Sequence, residues 1–128
     1  MKHTPNRRQR DFLQICRQIL RASDNYLTIS ELARRAMSKQ AHGYYIDEDY
    51  AYRLVLDRLN HGKIPIRRST RLLCDELIAR IEALRVEDPS ANIARALKTV
   101  LESGYASRFF MELKTARNLI NLHYKYVY

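Results

Sequence analysis

Residues 41–55 recur at 106–120. Ala41-His42-Gly43-Tyr44-Tyr45-Ile46-Asp47 falls on Ala106-Ser107-Arg108-Phe109-Phe110-Met111-Glu112 at a constant shift of 65 residues, without a gap. Ala51, Leu54 and Val55 fall on Ala116, Leu119 and Ile120, and Leu32 falls on Leu97. Phe12, Leu13, Cys16 and Ile19 fall on Leu77, Ile78, Ile81 and Leu84. From Ala41 to Val55, eight of 15 aligned pairs are identical or conservative. Helical periodicity alone would match apolar positions, but it would not align an aromatic pair followed by an aliphatic residue and an acid. The chain therefore reads as two copies of a half-sized unit, 1–64 and 65–128. Two copies are too few for a solenoid. The expected product is a single domain, 1–128, made of two similar halves.

Each half reads as three helices, so the expected fold class is all-α, a pseudo-symmetric tandem of two three-helix units. Phe12, Ile15, Cys16, Ile19 and Leu20 make one helical face. Thr4 is placed to cap this helix, with Pro5 at its first position. Thr28 and Glu31 have capping-box spacing before a stripe of Ile29, Leu32, Ala33, Ala36 and Met37. Asp47 is the expected cap of a third helix, with Ala51, Leu54, Val55 and Leu59 as its stripe and Gly62 as its stop. Ser69 or Thr70 is expected to cap the fourth helix, which carries Leu73, Leu77, Ile81 and Leu84. Ile93, Leu97, Val100 and Leu101 mark a fifth, closed by Gly104. Ala116, Leu119, Ile120 and Tyr124 mark a sixth, with Glu112 as a weak cap.

The aromatic segments leave two alternatives open. Tyr44–Ile46 and Phe109–Met111 either pair as a minimal two-stranded ribbon between the halves, or the second begins the following helix, because Phe109, Leu113, Ala116 and Ile120 also have helical spacing. The pattern Ala-x-x-aromatic-aromatic-aliphatic-acid-x-x-x-Ala, at Ala41–Ala51 and Ala106–Ala116, resembles one in short uncharacterised proteins of Bacteroides-type bacteria. In those proteins a repeated Ala-x-x-Phe-Tyr-aliphatic segment precedes a helix. The resemblance covers about half of the chain and implies no function.

Catalytic and cofactor chemistry finds little support. His3, His42, His61 and His123 are scattered, with no pair at i, i+4. Three glycines in all leave no room for a phosphate-binding loop. Cys16 and Cys74 fall in apolar stripes without C-x-x-C spacing, and read as buried thiols of a reduced cytoplasmic protein. Asp47, Glu48 and Asp49 suit the first turn of a helix rather than a cation site. No catalytic residue, cofactor or metal ligand is expected, and the protein reads as a non-enzyme. No apolar run approaches the roughly 18 residues of a membrane span, and the basic first ten residues lead into no apolar segment of the kind a secretory signal needs.

Charge is the pointer to a partner. Lys plus Arg total 23 against 14 Asp plus Glu, a net charge of +9. The excess is spread evenly along the sequence: residues 1–64 hold 12 basic and seven acidic residues, and residues 65–128 hold 11 and seven. It gathers in an acid-free run at Lys2, Arg7, Arg8 and Arg10, and again in the connector at Lys63, Arg67, Arg68 and Arg71. Arg34, Arg35 and Lys39 add an exposed face on the second helix. Arginine forks suit phosphate, and neutralising several phosphates gains affinity by counterion release. The expected partner is a nucleic acid, with DNA as the first choice. The segment Thr28–Ala36 resembles the first helix of a helix-turn-helix unit, but Met37 fills the slot where a glycine is usual, and the next helix begins only near Glu48. Its Asp47-Glu48-Asp49 opening would repel phosphate, so the basic clusters are the expected contacts.

Tyrosine points to an alternative. Tyr44, Tyr45, Tyr50 and Tyr52 are crowded, and Tyr124 and Tyr126 lie near the end of the sequence. An exposed Tyr-rich surface would suit a protein partner or a homodimer, or stacking on single-stranded bases.

Overall fold

A computed structural model describes residues 5–124. Six helices follow in order: α1 (Arg7–Ala22), α2 (Ile29–Met37), α3 (Glu48–His61), α4 (Arg68–Glu87), α5 (Ile93–Glu102) and α6 (Leu113–His123). No strand occurs among the described residues, so the chain is all-α as expected.

The helices group into two compact units that are not the two halves of the sequence. The first unit takes the chain as far as His42 and resumes at Ala106; the second is Gly43–Tyr105. The first therefore holds α1, α2 and α6, and the second holds α3, α4 and α5. Each pair of leading helices is completed by the third helix of the other half of the sequence.

In the first unit, α2 packs on both α1 and α6, and α1 touches α6. Phe12, Cys16, Leu32, Phe109, Ala116 and Ile120 are fully enclosed. The rings of Phe12 and Phe109 meet edge to face, 5.6 Å between centroids, a geometry that favours aromatic pairs. The segment entering α6 is stitched into this unit by its backbone. Ala41 and Ala106 exchange N–H···O bonds of 2.9 Å in both directions, and the Phe109 amide donates to the Met37 carbonyl at 3.0 Å. Tyr124 donates its hydroxyl to the Leu13 carbonyl at 3.1 Å. In the second unit, α4 packs on α5 and α3, and α3 on α5. Val55, Cys74, Leu77, Ile81, Leu97 and Val100 form its dry core.

Local chemistry accounts for most boundaries. Thr28 and Asp47 cap as expected, accepting from the Glu31 and Tyr50 amides at 3.1 Å in both cases. Gly62 ends α3 at φ 61°, a conformation glycine adopts without steric cost. Two starts differ from expectation. The first helix is capped by Asn6 in a reciprocal box with Gln9, at 2.9 and 3.0 Å, so Pro5 precedes the cap instead of opening the helix; Thr4 lies outside the described residues. The fourth helix begins at Arg68 with Arg67 at the cap position and no side-chain bond there. Ser69 and Thr70 thus sit inside the first turn.

The expected ribbon of Tyr44–Ile46 with Phe109–Met111 is replaced, among the described residues, by the single Ala41–Ala106 bridge. Tyr45 sits at φ 54°, which breaks an extended run and is costly for a side chain of this size. The amide of Phe109 is committed to Met37. Both aromatic segments are non-helical lead-ins, so α6 begins only at Leu113.

Candidate nucleic-acid interface

Grouping the helices this way re-sorts the charge. Among the described residues, the first unit carries 11 basic and four acidic side chains, net +7. The second carries ten of each, net zero. Lys2 and Lys125 lie outside the described residues. The acids of Asp47–Asp57 go with α4 and α5, whereas Glu112 is the only acid that comes with α6.

Within the first unit, α1 organises the cations. Arg7, Arg10, Gln14, Arg17 and Arg21 recur at i, i+3, i+7, i+10 and i+14, and all are exposed. At 3.6 residues per turn they fall within about 80° of the helix circumference, and at 1.5 Å per residue they extend about 21 Å. The one acid of this helix, Asp11, lies beside Arg7 at 3.9 Å, in a loose i, i+4 pair. Leu13, Gln14 and Arg17 line a shallow groove of about 330 Å3 with Arg10, Pro5 and His123. Arg34, Arg35 and Lys39 of α2 and its C-terminal flank are exposed, and Arg35 and Lys39 border a second depression of about 250 Å3 beside Ile19 and Ser23. Placement near helix C-termini also suits cations electrostatically.

The N-terminal cluster divides in two. Arg10 points outward with the stripe. Arg7 donates to the His42 carbonyl at 3.1 Å, and Arg8 to the Phe110 carbonyl at 3.5 Å. Arg8 is half-buried, and desolvation holds its guanidinium below the ordinary value. These two arginines fasten the segments that lead out of α2 and into α6. Arg17 and Arg21 were not among the residues expected to bind, although their heptad-like spacing from Arg10 is readable in the sequence.

The connector cluster lies in the second unit. Lys63, Arg67, Arg68 and Arg71 are exposed. Lys63 and Arg67 border a groove of about 450 Å3 with Tyr50, Arg53, Asp57 and Ile64. The Arg53 guanidinium stands 6.0 Å from the Tyr50 ring centroid. Arg68 and Arg71 are not among its lining residues.

The tyrosines differ in exposure and in partners. Tyr44 is buried, donating to Glu76 at 2.7 Å and accepting from Arg80 at 2.7 Å. Burial, and secondarily Glu76, pushes its phenol up to about 12 against the pull of Arg80. Arg80 also lies 4.5 Å from the Tyr105 ring and binds the Tyr105 carbonyl and Ser103 hydroxyl. Tyr45 and Tyr52 are half-buried, Tyr124 is tied to Leu13, and Tyr50 is exposed. Tyr126 lies outside the described residues.

The cysteines are core residues. Burial pushes Cys16 up to about 12 and raises Cys74 as well. Among the described residues, no group of three His, Cys, Asp or Glu side chains is arranged to hold a metal ion. No described helix is long and apolar enough to cross a membrane. No family model, curated protein or solved structure matches this chain.

Proposed function

We propose that the chain is a small, non-enzymatic nucleic-acid-binding protein of the cytoplasm that grips DNA phosphates with its first unit. The observation that carries this reading is the segregation of charge: net +7 on one three-helix unit, with four arginines in one stripe of α1, against net zero on the other. Arginines spread over about 21 Å of helix suit a duplex, which presents a phosphate on each strand about every 3.4 Å of its axis. Arg10, Arg17 and Arg21 would make the main contacts, with Arg34, Arg35 and Lys39 beside them. Arg7 and Arg8 would contribute less, because their guanidinium groups already hold backbone carbonyls. Arg68 and Arg71, in the second unit, would be further phosphate contacts.

The fold reading that accompanies this is a duplication with exchanged third helices. The shift of 65 residues maps α1, α2 and α3 onto α4, α5 and α6, and each unit combines two helices of one copy with the third of the other. A helix-turn-helix made of α2 and α3 gains no support, since α3 belongs to the second unit.

The test is titration of labelled duplex DNA with the full chain at two salt concentrations. Four to six phosphate contacts predict log affinity falling with log salt at a slope of roughly −4 to −5. Arg10→Gln with Arg17→Gln should make that slope shallower by about 2. Absence of duplex binding at low salt would overturn the proposal.

A further inference from the structure

The groove of the second unit combines features that a phosphate-only contact does not need. Its unit is electrically neutral overall, yet Arg53, Lys63 and Arg67 face one acid, Asp57, around it. Between these cations lies apolar surface that the fold leaves uncovered: Tyr50 is 45% exposed, Ile64 57% and Ile66 95%. The first turn of α4 borders the same groove at Arg67 and Thr70. An undistorted duplex offers its bases edge-on, so an exposed tyrosine and isoleucines beside its phosphates meet no flat base face. A strand with unpaired bases offers both anionic oxygens and flat apolar faces.

We infer that this groove is a binding site for single-stranded nucleic acid. The phosphates lie against Arg53, Lys63 and Arg67, and a base rests on Tyr50 and Ile64. The inference shares the ligand class of the preceding section but rests on different residues in a different unit. Charge complementarity chooses the occupant: three cations around an apolar floor call for an anion with apolar faces. An acidic amphipathic peptide is the competing solution, and the experiment separates the two.

Labelled oligo(dT) and a labelled duplex of equal length are titrated with the full chain and with two variants, Tyr50→Ala/Ile64→Ser and Arg10→Gln/Arg17→Gln. All four positions are at the surface, and circular dichroism checks that both variants are folded. Loss of one stacked base predicts that Tyr50→Ala/Ile64→Ser weakens oligo(dT) binding by roughly tenfold, leaving duplex affinity within about twofold. Tyr50→Phe, which keeps the ring, should retain the native value. Native oligo(dT) affinity in Tyr50→Ala/Ile64→Ser would overturn the inference, and so would an acidic amphipathic peptide that binds this groove where oligo(dT) does not. Duplex binding that persists without any oligo(dT) binding removes this site and leaves the first-unit reading standing. Oligo(dT) binding lost on groove mutation, in a chain that never binds duplex, does the reverse.

Discussion

Ala41 and Ala106 bond to each other through both amides at 2.9 Å, and they stand 65 residues apart. That separation equals the shift at which residues 41–55 align on 106–120, so each is bridged to the residue it aligns with. Both are almost fully enclosed. Protein interiors are close-packed, so a larger side chain at either position must displace its neighbours. Ala41→Leu and Ala106→Leu should each destabilise the fold by about 1–3 kcal/mol through overpacking, measured by chemical denaturation. Two variants as stable as the native chain would show that the crossing point tolerates expansion.

The grouping of α6 with α1 and α2, and of α3 with α4 and α5, makes a sharper prediction. Ile120 of α6 is fully enclosed in the first unit, and Val55 of α3 in the second. Ile120→Ala should cost about 2–5 kcal/mol and lower amide-exchange protection in α1 and α2 more than in α4 and α5. Val55→Ala should do the opposite, by a smaller amount because fewer methyl groups are removed. Loss of protection that follows the sequence halves instead, α3 with α1 and α2, would contradict the crossed pairing.

Several features of the fold can be read directly from residues. The buried Phe12 and Cys16 of α1, the Thr28 and Asp47 caps and the Gly62 stop are local, and each appears where short-range chemistry puts it. The pairing of third helices is not local. Ala51, Leu54 and Val55 in α3 offer nearly the same packing surface as Ala116, Leu119 and Ile120 in α6, so apolar patterning cannot say which pair each helix joins. Charge inherits that ambiguity. Divided at residue 64 it looks even, and only the crossed grouping gathers it on one unit. The arginine stripe was legible in spacing, but Arg7, Arg8 and Arg10 read as a linear run. Helical geometry instead separates Arg8 from Arg10 and aligns Arg10 with Arg17.

Tyr44 should titrate abnormally. Its folded pKa of about 12 lies above the ordinary value of 10.0, burial being the main cause. The folded state therefore holds this proton longer than the unfolded state. The resulting stabilisation is complete below pH 10 and is lost as pH rises through about 12. An ultraviolet phenolate titration should show a late-ionising component that is lost in Tyr44→Phe. That variant should also lose about 1–3 kcal/mol, since the part-buried bonds from the phenol to the Glu76 carboxylate and from Arg80 to the phenol go with the hydroxyl.

The thiols offer an independent readout of core integrity. Cys16 sits in the first unit and Cys74 in the second, both fully enclosed and both raised in pKa, Cys16 to about 12. Thiolate is the species that alkylates, so both should resist iodoacetamide near neutral pH and react once the chain unfolds. Ile120→Ala should speed labelling at Cys16 before Cys74, read by mass spectrometry of the peptides. Equal acceleration at both would mean that the two units open together.

Net charge and a located interface predict different outcomes, and two double reversals of equal charge separate them. Arg10→Glu/Arg17→Glu changes the stripe on α1, and Arg95→Glu/Lys98→Glu changes exposed positions on α5 of the neutral unit. Each lowers the net charge by four. If duplex affinity followed total charge alone, the two variants would weaken it alike. With phosphates held along α1, the first loses two contacts and gains two repulsions, a loss on the order of a hundredfold at low salt. The second alters only the long-range field, which added salt screens over about 10 Å at 0.1 M. Its deficit should shrink toward the native value as salt approaches that level. The first variant should remain weaker there, because its missing contacts are short-range.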